Sequence, residues 1–108
     1  GCFVSNIAPM SAPNSSAKAF YDEFLKQHQK IVAFAPLAYV STTLVLDALK
    51  GAKTKDRAGV LGALQSPDYE FKSILGPFTF DKNGDSKGEK LFFHEIKGGE
   101  LIAHESRK

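Results

Sequence analysis

The stretch that most restricts the fold runs from Pro36 to Gly51. Leu37, Ala38, Tyr39, Val40, Leu44, Val45, Leu46, Ala48 and Leu49 occupy nearly every side of a helix, and Asp47 and Lys50 are its only charges. A helix apolar on most faces must be buried on most faces. A membrane span would meet that demand but needs about 20 apolar residues. The longest uncharged run, Ile31 to Leu46, has 16 and includes Pro36, Ser41, Thr42 and Thr43. The helix is therefore expected inside a protein, with Pro36 in its first turn and Gly51 as a left-handed cap. A chain of 108 residues has room for one domain. So buried a helix in so short a chain implies covering by parts of something larger.

The elements around it follow from caps and periodicity. Asn14, Ser15 and Ser16 are good N-cap types. After them Ala17, Phe20, Tyr21, Phe24, Leu25 and His28 form one apolar stripe, which predicts an amphipathic helix ending near His28. Asp56 to Gln65 reads as a short, weaker helix with Val60, Leu61 and Leu64 inward, loosened by Gly59 and Gly62. Phe3, Val4 and Ile7 predict a short buried strand with Cys2 packed beside it. Gly1-Cys2-Phe3-Val4-Ser5 also fits a lipid-acylation pattern, a reading that the strand outweighs. Pro9 and Pro13 then break regular structure. Gly76 to Asp81 alternates aromatics as a strand does. Leu91 to Ile96 and Leu101 to Ala103 flank Gly98-Gly99, a hairpin signal. The class is α/β: two or three helices, a short N-terminal strand, a further strand and a C-terminal β-hairpin.

Charge and chemistry exclude several functions. Fourteen Lys and Arg against twelve Asp and Glu leave +2, too little positive charge for a nucleic-acid groove or a polybasic membrane anchor. One cysteine rules out an internal disulfide and any multi-thiolate zinc site. No nucleophile motif, phosphate-cradling glycine loop or histidine metal spacing occurs, so no catalytic residue, metal or cofactor is expected. Neighbours on a strand point to opposite faces, so His94 and Glu95 are no acid–base pair. Asp81, Asn83 and Asp85 occupy the first, third and fifth places of a calcium loop, but Ser86 replaces its glycine and Phe92 its bidentate glutamate. A turn at Asn83-Gly84, with Asp side chains bonding nearby backbone, is the expectation.

The run Gly76-Pro77-Phe78-Thr79-Phe80-Asp81-Lys82-Asn83-Gly84-Asp85-Ser86-Lys87-Gly88 resembles the C-terminal signature of branched-chain amino-acid-binding proteins, the type I periplasmic solute-binding proteins of ABC importers. The helix through Ala38-Tyr39, Leu44, Leu46, Ala48 and Leu49 resembles the family's Tyr-Asp-Ala helix, with Val40 where the Asp usually stands. Phe20-Tyr21-Phe24 resembles the preceding helix, and Gly1 to Pro9 the strand before that. The family's chains are about three times longer and form two doubly wound lobes, each the size of a domain.

The resemblance implies a C-terminal fragment of such a fold. Residues 1–10 would be a strand and crossover, with the crossover at Ala8 to Ala12. Residues 14–81 would complete the first lobe, and 90–104 would be a last crossover near Lys90 to Phe92 followed by the hairpin. Solute is held between the lobes and delivered to a membrane permease. The groups gripping its carboxylate and ammonium come from upstream, so this segment's contribution would be a wall of Phe34, Pro36 and Leu37. The implied protein is a non-enzymatic receptor for an amino-acid-like solute, exported to the periplasm or cell exterior, free or lipoprotein-tethered. Alone, the segment is expected to self-associate. The residues by themselves also allow an independent α/β interaction or assembly domain without ligand.

Overall fold

The computed structural model describes residues 1–32, 34–87 and 90–104. Its elements are β1 (Cys2–Asn6), α1 (Ser15–Gln27), α2 (Ala35–Gly51), α3 (Arg57–Leu64), β2 (Phe71–Ser73), β3 (Gly76–Phe80), β4 (Ser86–Lys87), β5 (Phe92–Lys97) and β6 (Glu100–His104). They divide into two compact units. The first is residues 1–37 and 90–108, and the second is Ala38–Glu89. The chain passes between them at 37–38, within the first turn of α2, and again at 89–90.

The first unit holds α1 and an antiparallel sheet of order β1-β5-β6. Val4 lies opposite His94, and His94 opposite Ala103, so one face carries Val4, Asn6, Phe92, His94, Ile96, Leu101 and Ala103. Phe3, Phe93, Glu95, Ile102 and His104 stand on the other. The strand at residues 2–6 forms as predicted, but it is not buried: Cys2 to Ser5 are all exposed. Among the described residues β1 pairs with β5 and with no other strand.

Helix α1 starts where Asn14 caps it, its side chain accepting the Ala17 N–H at 2.9 Å. At its end the His28 N–H donates to the Phe24 carbonyl at 2.8 Å, and the two rings stack obliquely at 4.5 Å. Only Ala17 and Tyr21 of the stripe are buried. Tyr21 donates its hydroxyl to the buried Pro9 carbonyl at 2.6 Å. That bond ties α1 to the proline-rich segment after β1. Helix α1 lies in the same unit as β1 and the hairpin.

In the second unit α2 buries Val40, Leu44 and Ala48 along one line of four-residue spacing. Tyr39, Val45 and Leu46 stay 44–54% exposed, so the uniformly apolar circumference is covered on one side only. Gly51 is not the left-handed cap expected of it. It ends the helix without positive φ, and the Lys55 ammonium instead donates to the carbonyls of Leu49, Lys50 and Ala52 at 2.7–3.1 Å. Helix α3 is capped by Asp56, which accepts from the Gly59 N–H at 2.8 Å. Val60 and Leu64 are half-buried and Leu61 is 53% exposed. A second antiparallel sheet follows, of order β2-β3-β4.

Candidate functional site

Phe34, Pro36 and Leu37 stand where the chain leaves the first unit. The Ala35 N–H donates to the Val32 carbonyl at 3.0 Å, a turn that delivers the chain into α2. Pro36 occupies the helix's first turn, where its missing N–H costs nothing. Its side chain is fully buried, Leu37 is half-buried, and Phe34 is 68% exposed. Of the three, Phe34 alone presents a largely exposed apolar side chain.

The Asp81 loop is a turn, as its residues imply. Asp81 Oδ1 accepts from the Asn83 and Asp85 N–H groups at 2.8 and 2.9 Å. Backbone bonds from Asp81 N to Asp85 O and from Gly84 N to Asp81 O close it, at 2.9 and 3.0 Å. Gly84 takes φ +87°, which its lack of a Cβ permits. Those bonds hold the Asp81 carboxyl below the usual carboxylate range.

Two polar features are not evident from local sequence. Tyr69, in the loop after α3, lies within hydrogen-bond reach of the Leu44 carbonyl at 3.3 Å and Asp47 Oδ2 at 3.2 Å. Burial, followed by the Asp47 carboxylate, pushes its phenol up to about 12. It lines an open hollow of about 600 Å³ together with Asp47, Lys50, Asp68 and Glu70. His94 is 1% exposed, and its Nε2 accepts the Met10 N–H at 3.3 Å. Glu95 points to the other face and pairs with Lys97 at 3.2 Å. No group of three metal-ligating side chains occurs among the described residues, and none of their helices is long and apolar enough to cross a membrane.

Neither a protein-family model nor a curated protein matches the sequence. Solved structures do. The leucine binding protein LivK of Thermotoga maritima superposes with a TM-score of 0.79 over 97% of this chain, at 21% identity. An ABC transporter substrate-binding protein of Desulfitobacterium hafniense, in complex with Leu, superposes equally well (TM-score 0.79) over 94% of the chain at 19% identity. The fold is that of a segment of a type I periplasmic binding protein. A further structure of such a protein from Desulfitobacterium hafniense matches with a TM-score of 0.72 at 20% identity. This chain spans about 30% of the length of each of these proteins. It therefore contains a minority of that fold's residues.

Proposed function

We propose that this segment belongs to the solute-binding component of an ABC importer, which holds a branched-chain-type amino acid or a related small solute between two lobes. The observation that carries the reading is the superposition of 97% of the chain on a leucine-binding protein. Phe34 and Leu37 contribute apolar wall, while the buried Pro36 acts through the backbone it fixes. The protein works outside the cytoplasm and passes its solute to a permease. Binding requires polar groups that converge on the solute from upstream segments.

The test is calorimetric titration of leucine, isoleucine and valine into the two-lobed polypeptide that contains this segment. Micromolar or tighter binding of at least one is the expected result. Phe34→Ala should weaken it about tenfold, the loss expected when part of a buried aromatic contact is removed. Absence of binding by all three, and by other small amino acids, would overturn the assignment.

A further inference from the structure

The peptide group between Pro9 and Met10 is held at both ends by buried side chains from distant elements. Its carbonyl accepts the Tyr21 hydroxyl of α1 at 2.6 Å. Its N–H donates to Nε2 of His94, on β5, at 3.3 Å. The peptide bond is trans, so the two groups point in opposite directions, and one planar unit couples the helix to the sheet. Tyr21 is 2% exposed and His94 1%. This chain's own residues enclose both, so the joint does not depend on what else packs against the first unit.

We propose that His94 is an acid-released latch: on taking up a proton it gives up the Met10 N–H and uncouples α1, with the segment leading into it, from β5. A histidine nitrogen accepts only while it carries no proton, and an imidazolium is a donor at both nitrogens. Protonation therefore sets Nε2 against the Met10 N–H, donor to donor. Nδ1 gives no relief, since it is buried and has no hydrogen-bond partner among the described residues.

The surroundings do not neutralise the charge either. Glu95, Lys97, Glu100 and His104 all stand on the opposite face of the sheet. On the face of His94, Cys2 is the one titratable side chain that the strands contribute, and it is exposed. The segment from Ala8 to Pro13 carries no charge. From α1 the buried Tyr21 points inward with its hydroxyl committed to Pro9. The exposed Lys18 and Asp22 pair with each other, as do Glu23 and Lys26. An imidazolium closed in without a counter-charge costs far more than moving a short segment aside, so the ring gains its proton by opening to solvent. The open form binds a proton that the closed form lacks, and opening becomes easier as pH falls below the ordinary histidine value of about 6.5. His28 acts in the opposite sense, since positive charge at the C-terminal end of α1 favours the helix.

Hydrogen exchange read by mass spectrometry, on the full polypeptide containing this segment and corrected for the intrinsic pH dependence of exchange, tests the latch. Between pH of about 7.5 and 5.5 the peptide covering Met10 to Tyr21 should exchange about tenfold faster, the factor that one unit below the histidine value supplies. Residues 38–89, which contain no histidine, should not change. His94→Gln keeps an acceptor and cannot take the proton, so it should hold the slow exchange of pH 7.5 throughout, with circular dichroism reporting that it folds. His28→Gln should leave the acid response in place. Exchange that stays flat in the wild type, or a rise that survives in folded His94→Gln, would overturn the proposal. Nitrogen NMR of the wild-type ring decides the matter even if that variant does not fold. The His94 ring should become imidazolium in step with the faster exchange at Met10, and either change occurring without the other would overturn the latch.

Discussion

Replacing Tyr21 by phenylalanine exchanges a hydroxyl for a hydrogen at a buried joint of the first unit. Tyr21 is 2% exposed, and its hydroxyl donates to the Pro9 carbonyl at 2.6 Å. The variant keeps the ring, which packs edge-to-face on Phe20 at 5.5 Å, and leaves a buried carbonyl without that donor. The expected loss is about 1–2 kcal/mol, or about 4–8 °C of melting temperature for each kcal/mol in a domain of this size. Guanidinium unfolding followed by circular dichroism would measure it.

The same joint has an alkaline signature. Burial pushes the Tyr21 phenol up to about 12 from its ordinary 10. Between pH 10 and 12 the unfolded chain releases this proton and the folded chain keeps it, so stability falls as pH rises through that window. The two-unit difference corresponds to at most about 2.7 kcal/mol. Tyr69, also raised to about 12, adds a smaller share because it is more exposed. Tyr21→Phe should therefore lose stability at pH 7 and lose less of what remains at pH 12. A variant within 0.5 kcal/mol of wild type at pH 7, with an unchanged alkaline slope, would refute the account of this joint, since about 1 kcal/mol is the least that the bond should contribute.

Leu44→Ala, on the buried line of α2, should cost about 2–5 kcal/mol, while Leu46→Ala, 54% exposed, should cost about 0.5 kcal/mol or less by the same unfolding assay. The two helical glycines of α3 should respond with opposite sign. Gly62→Ala meets open space and should stabilise by roughly 0.5–1 kcal/mol, whereas Gly59→Ala would drive a methyl into the Thr54 carbonyl and should destabilise. In acid, Asp56 and Asp81 have carboxyls depressed by backbone hydrogen bonds. Their stabilising contribution is present above the unfolded value near 3.8 and is lost as pH falls through the folded values, which carboxyl titration by NMR would detect as midpoints below 3.8. Calorimetric titration of this chain alone with leucine, isoleucine or valine should show no binding, because only the apolar wall of the proposed site is present.

The parts of the fold legible in the sequence are those set by neighbours a few residues away. Asn14 and Asp56 cap helices through bonds to the third residue on, Gly98-Gly99 closes a two-residue turn, and Asp81 folds its own loop. Strands β2 and β4, of three and two residues, are too short to display alternation. The failure of Gly51 as a cap depends on Lys55 curling back to the helix end. His94 and Met10 meet across 84 positions, and nothing near either residue marks the contact. Pro36 announces a helix start, but whether Phe34 stands exposed or packed depends on how the turn at Val32 aims it. The burial of one α2 face and the exposure of another likewise follow from tertiary placement, which a uniformly apolar helix does not encode.

The pairing of Cys2–Asn6 with Phe92–Ile96 also orders events in time. The first sheet cannot close until nearly the whole chain has been synthesised, and the intervening second unit is built from contacts far closer in sequence. Closing so long a loop from a random coil is entropically slow. If Ala38–Glu89 folds first, its ends are brought together and the remaining search is shortened. Until then β1 leaves the ribosome as an exposed strand carrying Phe3 and Val4, with its eventual partner still unmade. The interval before β5 emerges is the stage at which this chain is most open to capture by a chaperone or by another nascent copy of itself.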